Sequence, residues 1–228
     1  MNNISFGIAM SLIAYYFVDV LQKKTKQAWL NPLLFSGLLI ILILSIFNIS
    51  IDDYMLGGDL IKALIAPATI SLAIPLYKNK QLILDNAKLL FTAVCCGIVS
   101  NLILVLAAKH LLSLKNEVFL SIVPKSITTA IAIDVATYLG GITEITIATV
   151  LITGIFGAML SPLFNKILNV KSDKIIGLAL GTSAHAVGTA KAVGTNEVQG
   201  AFASTSLILS GLLTVLLNPL FVQLFKLL

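Results

Sequence analysis

Long apolar stretches, separated by short polar ones, dominate the sequence. A helix needs about 20 mostly apolar residues to cross the hydrocarbon core of a bilayer. Stretches of about that length predict six transmembrane helices, which cover residues 4–21, 31–49, 60–77, 89–108, 145–165 and 201–225. The pattern is typical of an all-α polytopic membrane protein.

Two further segments, residues 118–139 and 175–195, are long enough to enter the membrane but contain many polar residues. Polar, irregular backbone is tolerated at membrane depth only where protein or a water-filled cavity satisfies it. We therefore expect both segments to be re-entrant or broken helices that enter the membrane and return. Eight full spans are the alternative.

The lysines favour the re-entrant path over eight full spans, and they orient the chain. Lysine clusters follow the first and third predicted spans, so the positive-inside rule places both loops in the cytoplasm and the N-terminus outside. A third cluster falls inside only if residues 118–139 return to the side from which they started. The three clusters are Lys23, Lys24 and Lys26, then Lys78 and Lys80, then Lys166, Lys171 and Lys174.

Composition excludes other classes of protein. Of 228 residues, 58% are hydrophobic and 11% charged, whereas soluble domains are about 25% charged. The net charge of +5 comes from lysines scattered between apolar runs, without any arginine, which disfavours a nucleic-acid partner. Cys95 and Cys96 are adjacent in an apolar stretch and offer no metal site. With no enzyme motif in the sequence, we expect a protein that is not an enzyme and needs no cofactor or metal.

A shift of 57 residues brings several features into register. Pro67 falls on Pro124, and Gly97 falls on Gly154 and then on Gly211. This spacing predicts an N-terminal two-helix region, residues 1–57, followed by a transport-like core of three units within one membrane domain. A unit with one re-entrant segment and one span inserts upside-down relative to the next, and such inverted repeats are common in secondary transporters. Coincidence of membrane-protein composition is the alternative. The three units are residues 58–114, 115–171 and 172–228.

The first polar segment contains the chemistry expected of an anion site. Pro124 lacks a backbone donor, so a helix breaks or begins there. The amides at a helix start and the charge of Lys125 suit a small carboxylate. Hydroxyl groups add donors, and Asp134 is a candidate carrier of a coupling proton. The predicted binding residues here are Pro124, Lys125, Ser126, Thr128 and Thr129.

The second polar segment is rich in glycine, which allows irregular backbone and close helix packing. His185 is a second candidate proton carrier, because its unperturbed pKa is close to neutrality. The lysines could instead snorkel to the interface, and His185 could simply bond a neighbouring helix. Intramembrane ionisable residues nevertheless favour a functional role. The predicted binding residues here are Gly181, Thr182, Ser183, Gly188 and Thr189.

At these segments the sequence resembles the LrgB/CidB family of bacterial membrane proteins. The resemblance extends over nearly the whole chain. The sequence departs from the family pattern at three positions: family members often carry proline at Ala130, glycine at Ala186 and arginine at Lys191. It is densest in Pro124-Lys-Ser-Ile-Thr-Thr129, Gly181-Thr-Ser-Ala-His-Ala-Val-Gly-Thr-Ala190 and Gly200-Ala-Phe-Ala203, and includes Ala66-Pro-Ala-Thr69 and Pro75-Leu-Tyr77.

The resemblance implies a multi-pass protein of the bacterial cell membrane and two candidate functions. One is secondary transport of small monocarboxylates such as pyruvate or glycolate, with a proton as the candidate coupling ion; plastid relatives exchange glycolate and glycerate. The other is antiholin-like regulation of murein hydrolase activity and lysis, with a small LrgA/CidA-type membrane protein as partner. A homo-oligomer is left open, and a purely structural scaffold is disfavoured by the polar membrane segments.

Overall fold

The computed structural model of the chain describes residues 4–25, 30, 32–64, 67, 70–71, 73–78 and 80–226. In this part of the chain the regular secondary structure is helical throughout, which confirms the all-α prediction. The chain divides into two compact units, residues 1–71 and 72–228. Three residues of the motif around Pro67 lie outside the described residues: Ala66, Ala68 and Thr69. The boundary at residue 57 and the three 57-residue units stay predictions.

The first unit contains helices α1 (Ile4–Thr25), α2 (Pro32–Ile46) and α3 (Ile51–Ala63). Helix α1 crosses α3 with backbones in contact, because the glycines Gly7 and Gly57 face each other across the pair. Small residues at a crossing allow this close approach in a membrane. Beside the crossing, the hydroxyl groups of Ser11 and Tyr54 share a hydrogen bond of 2.7 Å.

The second unit contains the two polar segments and the helices that hold them. Two short helices come first, and long helices then alternate with the polar segments. In chain order the helices are α4 (Ala73–Lys78), α5 (Lys80–Asp85), α6 (Ala87–Leu111), α7 (Asn116–Ile122), α8 (Thr129–Leu139), α9 (Thr143–Ile167), α10 (Asp173–Thr195) and α11 (Glu197–Lys226).

Among the described residues, four helices are long and apolar enough to cross a membrane: α1, α6, α9 and the first 24 residues of α11. Helices α2 and α8 are apolar but shorter. This confirms the prediction of a polytopic membrane protein. The apolar core of the second unit forms where α6 meets α7 and α11, around Val94, Ile98 and Phe119.

Residues 116–139, called hairpin one below, turn back on themselves. Helix α7 forms the first arm, the chain turns through residues 123–128, and α8 forms the second arm, which runs back in the opposite direction. At the end of α8 the chain is again beside α7, since the amide of Ile142 donates to Ser121 Oγ at 2.6 Å. The hydroxyl of Thr146 donates to the Ser121 carbonyl at 2.9 Å. The segment therefore reverses direction, as a re-entrant segment must, and its entry into the membrane stays a prediction.

Residues 173–195, called hairpin two below, reverse direction inside α10. The reversal is at His185, whose backbone has φ 40° and ψ −130°. Residues eight apart in a straight helix are separated by about 12 Å, yet a side chain at Gly188 would collide with the Leu180 carbonyl. The returning arm packs on the next helix, where Gly200 contacts Val193. The second segment is therefore also a hairpin that reverses direction.

The two hairpins start from opposite ends of the second unit. The Lys174 ammonium group donates to Asn86 Oδ1 at 3.4 Å, so hairpin two starts beside the beginning of α6. The Lys109 ammonium group lies 4.8 Å from the centre of the Phe119 ring, so hairpin one starts beside the end of α6. The tips of the hairpins therefore approach each other from opposite directions.

Candidate functional site

The tip of hairpin one is held by Asn101, which lies near the middle of α6. Its side-chain amide donates to the Val123 carbonyl at 2.9 Å. Its oxygen Oδ1 accepts hydrogen bonds from the Lys125 ammonium group and from the Ser126 hydroxyl, the latter at 3.3 Å. One neutral side chain therefore organises the backbone, the cation and a hydroxyl group of the tip.

The sequence predicts that a helix breaks or begins at Pro124, and the structure shows a break there and a helix start further along the chain. Helix α7 ends at Ile122, and the next helix begins only at Thr129, after Thr128 in an extended N-cap conformation. The Lys125 amide donates to the Ile122 carbonyl at 3.1 Å. Pro124 ends the first arm because it has no N–H for the helical ladder. The expectation that the amides directly after Pro124 form a helix N-terminus is therefore wrong.

The tip of hairpin two is His185, which is 2% exposed. Its ring nitrogen Nε2 lies 2.9 Å from the Val150 carbonyl on α9. The ring packs directly against Gly154, where any side chain would collide with it. A glycine on the neighbouring helix thus makes room for the tip, and a carbonyl fixes its direction.

The tip of hairpin one and the first arm of hairpin two meet at one small cavity beside the middle of α6. Hairpin one contributes Pro124 and Ser126, and hairpin two contributes Thr182. Gly97 of α6 permits the approach, because its missing side chain leaves room for the Thr182 methyl group. The cavity measures about 10 Å³, which is close to the space that one water molecule requires.

Helix α11 supplies the opposite wall of this cavity. Ser210, Thr214 and Asn218 all line it, and all three are buried. They are spaced four residues apart, so they lie on one face of the helix. Sequence reasoning missed these residues and Asn101. The signal was a polar stripe at four-residue spacing inside an apolar span, and a single asparagine inside another.

Several polar atoms at this cavity have no hydrogen-bond partner among the described residues. They are Thr182 Oγ1, Ser210 Oγ, and both the nitrogen and the oxygen of the Asn218 amide. Buried polar groups are nearly always hydrogen-bonded in folded proteins. An unsatisfied one costs about 1–3 kcal/mol. Such a cluster in one small space is typical of a site that receives a hydrogen-bonding ligand or water.

A positive charge lies next to the cavity: Lys125 does not line it but is bonded to the lining residue Asn101. The Lys125 side chain is half-buried. Among the described residues the only ion pair joins Lys23 to Asp19, which lie in the first unit, about 100 residues before Lys125 in the sequence. Because charges at membrane depth are normally paired, a lysine with a neutral partner makes this tip favourable for an anion.

The other predicted binding residues lie away from the cavity. Thr128 and Thr129 start α8, beyond the lining residue Ile127. The Ser183 hydroxyl is exposed and donates back to the Ala179 carbonyl at 2.7 Å. Gly181 and Gly188 allow close packing of hairpin two, and Thr189 Oγ1 donates to the Ala203 carbonyl at 3.4 Å. The structure thus brings Pro124, Lys125, Ser126 and Thr182 together, and leaves the rest in the frame of the hairpins.

The two candidate proton carriers occupy different environments. His185 is packed inside the tip of hairpin two. Asp134 is exposed on a separate, mostly apolar groove of about 610 Å³ between α8 and α11, where it lies with Tyr138 and Ile208. Neither residue lines the central cavity.

Comparison with known proteins gives a consistent family. The family model described as LrgB-like matches residues 11–224. The holin-like protein CidB of Staphylococcus aureus (strain N315) is 35% identical over 218 residues, which cover 96% of this chain and 95% of that protein. The antiholin-like protein LrgB of Bacillus subtilis (strain 168) is 38% identical over 220 residues, with the same coverage. No solved structure matches the chain.

Proposed function

The chain belongs to the LrgB-like family, and we propose that it is a secondary transporter of small monocarboxylates such as pyruvate or glycolate. The observation that carries the proposal is Lys125. This half-buried cation lies at the meeting point of two hairpins and donates to a neutral amide oxygen. Sites near the membrane midplane between discontinuous helices are where secondary transporters bind their substrates.

The carboxylate of the substrate takes the place of Asn101 as the acceptor for Lys125. A hydrogen bond between an ammonium group and a carboxylate is roughly twice as strong as one between neutral groups. The hydroxyl groups of Ser126 and Thr182 are the further hydrogen-bond donors for the substrate, since both residues line the cavity. Together they offer one charge and two hydroxyl groups, which fits a singly charged anion.

A cavity of about 10 Å³ is too small for a three-carbon acid, so the structure corresponds to a closed state of the transport cycle. Substrate reaches the cavity when one hairpin moves away from the other. Because the hairpins start from opposite ends of the unit, movement of hairpin one opens the site to one side of the membrane and movement of hairpin two to the other. This is the geometry that alternating access requires.

Coupling and orientation complete the proposal. His185 and Asp134 are the candidate carriers of a coupling proton, and His185 is the one inside a moving tip. By the positive-inside rule, the end of the second unit where Lys174 meets Asn86 faces the cytoplasm. An N-terminus on the outside is also part of the proposal, because Lys23 and Lys24 end α1 and the same rule assigns them to the cytoplasm. The protein is a bacterial membrane protein, since it combines membrane-length apolar helices with relatives from Staphylococcus and Bacillus.

Uptake of labelled pyruvate and glycolate by proteoliposomes tests the proposal. We expect saturable uptake by the unaltered protein and a loss of about tenfold to 100-fold in uptake efficiency in Lys125→Ala, because a charge-assisted hydrogen bond contributes about 1.5–3 kcal/mol. Lys115→Ala is the matched control, since Lys115 is exposed at the outer end of the same hairpin. Equal uptake in Lys125→Ala and the unaltered protein would overturn the assignment.

The names of the relatives favour a second candidate function, in which the chain regulates a small LrgA/CidA-type membrane partner and thereby lysis. The relatives CidB and LrgB are named as a holin-like and an antiholin-like protein. This function predicts no substrate uptake. It predicts dye leakage from vesicles that depends on the ratio of the two proteins, so the same vesicles separate the candidates.

A further inference from the structure

Asn218 is the most unusual residue at the cavity. Its side chain is 1% exposed, yet neither its amide nitrogen nor its amide oxygen has a hydrogen-bond partner among the described residues. It faces the cavity that both hairpins line. A buried asparagine with both functional atoms unsatisfied is costly, which favours a hydrogen-bonding ligand, or the water that such a ligand displaces, as its partner.

The chemistry of an amide limits what that partner is. A lysine has only donors, whereas an asparagine has both a donor and an acceptor. A carboxylate only accepts, so it would satisfy the amide nitrogen and leave the amide oxygen without a partner. A hydroxyl group on the ligand can accept from the amide nitrogen or donate to the amide oxygen, whereas a keto oxygen, like a carboxylate, satisfies the nitrogen alone.

The position of Asn218 separates it from the anion-binding group. Lys125 is tied to the other wall of the cavity through Asn101 of α6, whereas Asn218 projects from α11 with Ser210 and Thr214. A small acid bound between the α6 wall and the α11 wall would point its carboxylate towards Lys125. The carbon atom next to the carboxylate would then lie on the side of α11. The polar stripe of α11 therefore lies where a substituent on that carbon would be.

We propose that Asn218 contacts the substrate and determines specificity by recognising an oxygen on the carbon next to the carboxylate. This inference rests on the proposed transport function. The transporter then accepts 2-hydroxy and 2-oxo acids in preference to unsubstituted acids of the same size. Ser210 and Thr214 support this recognition from the same helix face. A site built to hydrogen-bond a substrate oxygen discriminates strongly against analogues that lack it.

Competitive uptake by proteoliposomes tests the inference, with labelled pyruvate and labelled propionate supplied to the same vesicles. In Asn218→Leu, which keeps the size of the side chain but removes both polar atoms, we expect pyruvate uptake to fall about tenfold or more. Propionate uptake should change less than about threefold, because propionate has no oxygen for Asn218 to bind. Thr214→Val is a second variant and should shift the ratio in the same direction by a smaller factor.

Asn165→Leu is the matched control. Asn165 lies on α9, donates only within that helix to Ser161 at 3.4 Å, and does not line the cavity. It should leave the pyruvate-to-propionate ratio unchanged. An equal fall for both acids in Asn218→Leu and Thr214→Val, or no fall for either, would overturn the inference while the transport function stands. Absence of any uptake by the unaltered protein would overturn both.

Discussion

The two hairpins of the second unit reverse the chain by different means. Hairpin one takes six residues, 123–128, to turn, and its tip is held by side-chain hydrogen bonds to Asn101. Hairpin two turns at a single residue, His185, and its arms are in backbone contact through Gly188. One tip depends on polar side-chain partners, and the other on backbone packing.

This difference separates the roles of the hairpins. A ligand can replace the hydrogen bonds that Lys125 and Ser126 make to Asn101, so the tip of hairpin one is suited to binding. No small ligand replaces the backbone packing of Gly188 on Leu180 within hairpin two, so this hairpin is suited to moving as one rigid body. Its contribution to binding is the single hydroxyl of Thr182.

The largest effect should come from breaking the packing of hairpin two. In Gly188→Ala the new methyl group collides with the Leu180 carbonyl. Overpacking of this kind costs about 1–3 kcal/mol, so thermal unfolding of the detergent-solubilised protein should move to lower temperature. Gly194→Ala in the same arm is the matched control, because nothing lies within 4 Å of the new atom.

The two glycine variants should change the unfolding temperature in opposite directions, and this contrast is what the test depends on. Replacing an unconstrained helical glycine by alanine stabilises by about 0.5–1 kcal/mol, so the unfolding temperature of Gly194→Ala should rise slightly. A rise in both variants would show that the arms of hairpin two are not in contact.

A smaller effect should distinguish two neighbouring hydroxyl groups of hairpin two. Thr182 lines the cavity, whereas the Ser183 hydroxyl is exposed and bonded to its own helix. Loss of one neutral hydrogen bond to substrate costs about 1 kcal/mol, so Thr182→Val should lower pyruvate uptake several-fold. Ser183→Ala should leave uptake unchanged. If Ser183→Ala were as defective as Thr182→Val, the assignment of Thr182 alone to the cavity would be wrong.

The fold was predictable where the chain carries its own local signal. Apolar length indicates the long helices, and Pro124 marks the break of hairpin one because it cannot extend a helical ladder. The position of the lysines predicted that residues 118–139 return. The turn at His185 carries no such signal, since a positive φ is uncommon for any residue other than glycine. It depends on Val150 and Gly154, which lie more than 30 residues earlier in the chain.

The residues of the candidate site were predictable from the sequence only where polar residues form a local cluster. Polar clusters such as Lys125 with Ser126 stand out in the sequence, and the structure places both at the meeting point of the hairpins. Asn101 and Asn218 are isolated polar residues in apolar spans, so only the packing of α6 and α11 around the tips identifies them. The predicted Ser183 faces away because neighbouring residues of a helix point in different directions.

The most direct test of the account is a disulfide between the two hairpins. In a background carrying Cys95→Ala and Cys96→Ala, the pair Ser126→Cys and Thr182→Cys should oxidise to a cross-link visible by mass spectrometry of the joined peptides. The cross-link should block pyruvate uptake until a reductant restores it, because the hairpins can no longer separate. The control pair Ser126→Cys and Ser183→Cys should remain reduced, and its uptake should be the same before and after treatment with the oxidant. A cross-link in the control pair, or none between 126 and 182, would contradict the meeting of the two hairpins at one cavity.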